Sequence, residues 1–264
     1  MATTGPEGGL AVTVGLGEVR RFEAAGFRAW PAGSVHYDGA WAVRMTAGHP
    51  AKRLNSINPL DPADISRIAE RIGRVTRRFE AYGRMPLFRM TPLAPRELSE
   101  HLDREGWSRF GESIVMRVDL SIGAIDRAMD LLPVRDPARF LDGALAVHGD
   151  GGQLRAGLSE IIDAIEGETG LFLAEQDGAP VATAICVSEY ELAGLFEVAT
   201  QENERGRGHG RAIVLSALKW ARLKGARTGW LQVEAENTAA TGLYQALGFS
   251  EVYRYHYRAP DEGA

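Results

Sequence analysis

Residues 192–200, LAGLFEVAT, read as a strand, residues 201–210, QENERGRGHG, as a charged glycine-rich loop, and residues 211–225, RAIVLSALKWARLKG, as an amphipathic helix stopped at Gly225. A strand that passes through such a loop into a helix forces a crossover, so the strand after the helix should run parallel to the one before it. That next strand is TGWLQVEAE at 228–236. Upstream, 171–178 and 179–190 form two strands joined at Asp177–Gly178, a hairpin dipeptide. Downstream, Asn237 and Thr238 start a helix that ends at Gly248, and FSEVYRYHYR at 249–258 closes the set as an exposed strand. The order is β-β-β-α-β-α-β, an α/β (α+β) mixed sheet flanked by helices.

The first half repeats much of that order. Strands are expected at 40–46 and 52–60, a long helix at 61–83 capped by Asp61, a strand at 85–92, a helix at 95–106, and a strand or strand pair at 107–120. HLDREGWSRF at 101–110 aligns with LYQALGFSEV at 243–252, an offset of 142 residues. The expectation is a duplicated unit: residues 1–17 loose, 18–120 one unit, 121–264 the second, with three helices between 121 and 170 leading into it. Residues 260–264 are expected to fray.

Composition limits the function classes. Net charge is −5, so no global positive field exists to hold nucleic acid or an anionic membrane. The charge is uneven: residues 1–120 carry net +3 and residues 121–264 net −8, which leans toward a cationic acceptor for the second half. One cysteine, Cys186 in an apolar run, excludes an intrachain disulfide and a thiolate zinc cluster. No metal is expected. No apolar stretch is long enough to span a bilayer and no secretion signal is visible, so a cytoplasmic protein is expected, as monomer or homodimer.

The chemistry sits in the loop. Gly206, Gly208 and Gly210 remove side chains where a ligand approaches the backbone, and the amides that follow converge on a helix N-terminus, which suits phosphate. Arg205, Arg207 and Arg211 add positive charge. A P-loop needs Gly-Lys-Ser/Thr, and no lysine lies here. A dinucleotide fingerprint counted from Gly206 fails at Arg211. An RNA-binding arginine-glycine segment would be repeated, and this one is single. A plain surface turn with solvated arginines remains the alternative for the loop taken alone.

With the neighbouring elements added, the sequence resembles the GCN5-related N-acetyltransferases, the GNAT superfamily. Their R/Q-x-x-G-x-G/A loop is met by Arg205, Gly208 and Gly210, their next strand by WLQVEAEN, and their following helix by AATGLYQALGF. The likeness covers about 171–258, and the first half looks like a degenerate copy of the same fold. It implies acetyl-CoA as cosubstrate and direct attack by an amine of a small molecule or peptide. Val198, Ala199 and Thr200 would pair with the pantetheine arm. The loop from Arg205 through Gly206, Arg207, Gly208, His209 and Gly210 to Arg211 would hold the pyrophosphate. Asn237 would bond the arm, or simply cap its helix. Tyr244 would protonate the leaving thiolate, or simply fill the core.

The general base is less clear. Ribosomal-protein members of the superfamily use a Glu in a W-L-E-V segment, and that position is Gln232 here. Glu197 is the first choice, Glu234 the second, and a solvated strand carboxylate is the alternative for both. In the first half Leu102 stands at the position of Tyr244 and Pro95 at that of Asn237, so that unit should not bind acetyl-CoA. Its polar segment KRLNSINPL offers Lys52, Arg53, Asn55, Ser56 and Asn58 to an acceptor cleft, alongside Gln232; His256 is a further possible contact. Trp30, Trp41 and Trp107 are expected in the core. A non-catalytic acyl-CoA-binding or sensing protein is the competing reading.

Overall fold

The computed structural model describes residues 14–149 and 152–261. The elements run α1 (Leu16–Ala29), β1 (Ser34–Asp38), β2 (Trp41–Met45), β3 (Ser56–Pro59), α2 (Ile68–Ala81), β4 (Phe88–Met90), α3 (Arg96–Arg104) and β5 (Trp107–Asp119). Then follow α4 (Gly123–Asp126), α5 (Pro137–His148), α6 (Arg155–Asp163), β6 (Glu168–Gln176), β7 (Ala179–Glu189), β8 (Leu192–Thr200), α7 (His209–Leu223), β9 (Thr228–Glu234), α8 (Thr238–Ala246) and β10 (Ser250–Pro260).

All ten strands belong to one sheet, ordered β1-β2-β3-β4-β10-β5-β9-β8-β7-β6. β8 and β9 are parallel neighbours across α7, as the crossover argument requires. The α8 crossover departs from expectation: β10 does not lie beside β9. β5 stands between them, and β10 in turn stands between β4 and β5. The last strand of each half thus sits against the other half's sheet, and a sequence pattern cannot reveal so non-local a pairing. β10 is therefore central, and the expected exposed strand is replaced by one whose Tyr253, Tyr255 and Tyr257 are buried. Pro260, expected to fray, pairs with Trp107.

One face is covered by α1, α5 and α6, where Val19, Phe22, Phe140 and Leu158 pack with Phe196, Trp230 and Tyr255. The other carries α7 and α8, where Ile213, Val214 and Tyr244 meet Met116, Leu195 and Leu231. Burial of each such side chain contributes about 1.5–3 kcal/mol. A third cluster joins α2 and α3 to Trp41, Ile57 and Phe88.

Several boundaries move. α2 starts at Ile68 with left-handed Arg67 at its N-cap, so Asp61 is not its cap: the Asp61 Oδ1 accepts from the Ala63 N–H at 3.1 Å, while Asp64 accepts from the Ala40 N–H at 2.8 Å and pairs with Arg71. Ile65, outside the helix, is exposed. Residues 52–54 form a 3-10 turn, so the strand expected from 52 begins at Ser56. α1 and β1 have no counterpart in the sequence reading. Local chemistry was legible elsewhere: Asp177 (φ 52°) and Gly178 (φ 80°) make the β6–β7 turn, and Gly106 and Gly248, 142 residues apart, both take positive φ after α3 and α8. Of the residues expected to be loose, 1–13 and 262–264 lie outside the described residues.

Candidate active site

β8 and β9 pair only from Leu192↔Thr228 to Leu195↔Leu231. Beyond that point β8 stays with β7, and β9 stays with β5 through Val115↔Gln232 and Ser113↔Glu234. The two strands therefore part, and the β8 edge from Glu197 to Thr200 faces a gap. Aromatic rings crowd the place where pairing stops: Phe196 meets Trp230 at 5.6 Å, and Trp30 stacks on Phe196 at 5.0 Å. A bulge in β8 begins there too. Glu197 takes φ 48°, and its carbonyl accepts from Thr183 Oγ1 at 3.1 Å. Left-handed backbone is uncommon for a glutamate.

The glycine loop lies at the open end of the gap. Gly206 and Gly208 adopt φ 77° and 88°, and Gly208 is the N-cap of α7. The N–H groups of residues 206–211 have no acceptor among the described residues. With the helix dipole they form an electropositive end of about half a charge. Arg205 and Arg211 are exposed and make no ion pair among the described residues, whereas Arg207 is held by Glu204 at 3.0 Å. His209 lies 3.4 Å from the same carboxylate. A Cβ on Gly210 would stand 3.1 Å from Thr200 Oγ1 and 3.6 Å from Leu243, so loop, β8 and α8 meet at this glycine.

Asn237 caps α8, its Oδ1 accepting from the Ala240 N–H at 3.1 Å. Tyr244 is buried against Phe249, and its hydroxyl has no hydrogen-bond partner among the described residues. Burial pushes its phenol up to about 12. Val198 packs into the same cluster as Tyr244.

On the α1 face the sheet carries a polar chain. Glu23 grips Arg89 in a fully buried pair and accepts from Tyr253 Oη at 2.5 Å. Arg89 lies 3.7 Å above the Tyr255 ring, and Tyr255 Oη donates to Gln232 Oε1 at 2.9 Å. Beside this chain a cavity of about 210 Å³ is lined by Lys52, Arg53, Ser113, Gln232, Glu234 and Tyr255, among others. Glu234 is exposed and 3.8 Å from Lys52. Glu197, on the bulge, is 3.4 Å from His148 at the end of α5. His49 is lowered by its own burial, which outweighs the opposing field of Glu197.

Gln232, Lys52 and Arg53 thus lie on a cavity, but Asn55, Ser56 and Asn58 do not. All three are buried. Asn55 accepts from the Thr46 N–H and donates to the His49 and Ala51 carbonyls, and Asn58 donates to the Ala42 and Ser56 carbonyls. Their polarity satisfies backbone groups left by a short, irregular strand. His256 is half-buried beside Met90, away from the gap. Sequence reasoning missed Glu23, Arg44, Arg89 and His148. The only local signal was a charge inside two apolar runs, AWAVRMT and PLFRM. Among the described residues no group of three or more His, Cys, Asp or Glu is placed to hold a metal, and no helix is long and apolar enough to cross a membrane.

Comparison with known proteins shows both sequence relatives and a shared fold. The family described as "Probable histone acetyltransferase Rv0428c C-terminal" matches residues 16–258. The uncharacterized N-acetyltransferase YobR of Bacillus subtilis is 24% identical over 259 residues, covering 92% of this chain and 99% of that protein. The [ribosomal protein bS18]-alanine N-acetyltransferase of Escherichia coli is 35% identical over 92 residues, 34% of this chain and 62% of that protein. A GCN5-related N-acetyltransferase from Kribbella flavida superposes with TM-score 0.65 at 19% identity, covering 92% of this chain and 96% of that one.

Proposed function

The chain belongs to the family described as the C-terminal region of probable histone acetyltransferase Rv0428c, an acetyltransferase family within the GNAT superfamily, and from that premise we propose that it transfers acetyl from acetyl-CoA to an amine in a ternary complex. The observation that carries the reading is the open β8 edge from Glu197 to Thr200, ending at the unpaired amides of α7. An extended amide-bearing arm fits such an edge as an added strand, and a pyrophosphate fits such amides.

In this reading Val198, Ala199 and Thr200 hold the arm through their backbone groups, with the Asn237 side-chain amide beside it. The amides of residues 206–211, with Arg205 and Arg211, neutralise the phosphates. The acceptor comes from the α1 face, past Phe196 and Gln232. Its nitrogen bonds to the acetyl carbon as the carbon–sulfur bond breaks. Glu197, steadied by His148, takes the ammonium proton. Tyr244 approaches from the opposite face and donates a hydrogen bond to the departing sulfur. Its raised pKa makes it a donor that stabilises the thiolate without giving up its proton completely, since a thiol ionises near 8.5. Glu234 is the weaker base because it is exposed and paired with Lys52.

We assign the acetyl-CoA site to the second half alone. In the first half the corresponding turn before α2 carries Asp61 and Asp64 where the second half carries arginines, and Asp64 is saturated by Arg71 and Ala40. The first half then supplies α1 and residues 51–53 to the acceptor side. A cytoplasmic setting fits the single, buried Cys186.

The test is release of CoA from acetyl-CoA across an amine panel, with thermal stabilisation by acetyl-CoA in parallel. Stabilisation by mass action together with turnover is expected. Stabilisation with no turnover on any amine would leave a binding or sensing module instead, and the absence of both would overturn the reading.

A further inference from the structure

The acceptor side of the site carries unspent positive charge. Arg44 on β2 is 3% exposed. Its Nη1 and Nη2 donate to the Arg53 and Trp30 carbonyls, at 3.0 and 2.5 Å, and it forms no direct pair with a carboxylate among the described residues. Its Nε is buried without a partner among the described residues, and so is the Nε of Arg89. Arg53 follows it around the turn, with its guanidinium 5.9 Å from the Phe196 ring centroid and no ion pair or side-chain hydrogen bond among the described residues. The two carboxylates nearby are already engaged, Glu23 by Arg89 and Tyr253, Glu234 by Lys52. Arg44 and Arg53 therefore have no ion pair among the described residues and line one recess with Glu23, Trp30, Phe196 and Gln232.

That recess shares Arg53 and Gln232 with the 210 Å³ cavity, which the end of β9 no longer paired with β8 lines with Gln232, Val233 and Glu234. A half-buried cation without an ion pair, such as Arg53, gains from an anion bound beside it. The field of the neighbouring arginines is already felt: burial first, then Arg89, lowers Arg44 to about 10, with Glu23 opposing. A guanidinium fork matches a carboxylate in shape as well as charge. The recess itself has room for about 10 Å³, no more than a water, whereas the adjoining cavity of about 210 Å³ suits a ligand smaller than a drug-sized molecule.

We propose that the 210 Å³ cavity binds a carboxylate of the acceptor at its Arg53 wall, with Arg44 in the narrow recess behind, so that the substrate is a small amine that also carries a carboxylate, an amino acid in type. The proposal rests on the acetyltransferase reading for the fate of the amine, but the carboxylate site stands on its own geometry. It reverses the preference for a cationic acceptor suggested by the net −8 of the second half, because residues 44 and 53 come from the first.

The experiment compares L-alanine, L-methionine and L-glutamate with their α-carboxamides, by thermal shift and by CoA release, in the wild type and in Arg53→Gln and Arg53→Ala. Circular dichroism checks that the variants are folded. The acids should bind at least about tenfold more tightly than the amides, and both variants should erase that ratio. Equal response to acid and amide throughout the panel would overturn the proposal, as would a preference that survives in both variants. Acid-selective binding without CoA release would sustain the carboxylate site and remove the acetyl-transfer reading. Turnover of amides as readily as acids would do the reverse.

Discussion

His148 Nε2 lies 3.4 Å from Glu197 Oε2, joining the end of α5 to the one left-handed residue of β8. The contact holds a carboxylate at the mouth of the strand gap without neutralising it through an arginine or lysine. Glu197→Gln should lower kcat by about 10²-fold, the lower range for loss of a positioned base. Glu197→Asn, which tolerates left-handed backbone, should lose activity similarly and so separate charge from conformation. Glu234→Gln should have a smaller effect. Steady-state CoA release is the measurement, and a kcat unaffected in both Glu197 variants would remove this residue from the mechanism.

Tyr244 loses no protein hydrogen bond when its hydroxyl is removed, because the hydroxyl has no partner among the described residues. Tyr244→Phe should therefore fold with near wild-type stability, bind acetyl-CoA, and lose about 10²-fold in kcat. With the phenol raised to about 12, no alkaline fall in rate should arise from it below about pH 11. The raised value has a stability consequence as well. As pH climbs from about 10 toward 12 the unfolded chain gives up this proton before the folded one, so stability falls across that window. Tyr244→Phe should flatten that part of the urea midpoint profile.

Gly208 stands at φ 88° with open space where a Cβ would point. Alanine there meets no clash and costs only the left-handed strain, about 1–2 kcal/mol. Gly208→Glu adds a carboxylate beside the amides expected to hold phosphate. Thermal scans should show a modest loss of intrinsic stability in both variants, but loss of the acetyl-CoA-induced shift chiefly in the glutamate variant. An equal ligand shift in wild type and Gly208→Glu would place the phosphates elsewhere.

His256 is lowered to about 4, by burial first and by repulsion from Arg109 second, with Glu112 opposing. In the unfolded chain it titrates near 6.5. Between these values the unfolded state binds the extra proton, so the stabilising difference present above about pH 6.5 is lost as pH falls toward 4. His256→Gln should unfold with a midpoint less sensitive to acid over that window. Urea melts at several pH values read it directly, and identical slopes for variant and wild type would contradict it.

What the sequence made legible was local. The Asp177–Gly178 turn, the glycine loop, the Asn237 cap and the β8–α7–β9 crossover each depend on residues a few positions apart. What it hid was distant. β10 enters between β4 and β5 because its buried tyrosines match the polar chain set up by Glu23 and Arg89, 66 residues apart in sequence. The same distance concealed α1, whose Val19, Phe22 and Ala25 gain meaning only against Trp230 and Tyr253. Asn55 and Asn58 misled in the other direction: their amides look like ligands in sequence and are backbone partners in space.

The Glu23–Arg89 pair is the sharpest test of that buried chain. Both residues are 3% exposed, the guanidinium meets the carboxylate with both Nη atoms, and Tyr253 adds a hydrogen bond to the same carboxylate. Glu23→Gln leaves the Arg89 charge buried without its counterion and should cost about 3–5 kcal/mol. Tyr253→Phe removes only one charge-assisted bond and should cost about 1.5–3 kcal/mol. The double variant Glu23→Leu/Arg89→Met takes both charges away while keeping apolar volume, so it should be more stable than Glu23→Gln alone. Urea denaturation of the three variants orders these costs, and a double variant less stable than Glu23→Gln would show that Arg89 is held by Tyr255 and Gln232 more than by Glu23.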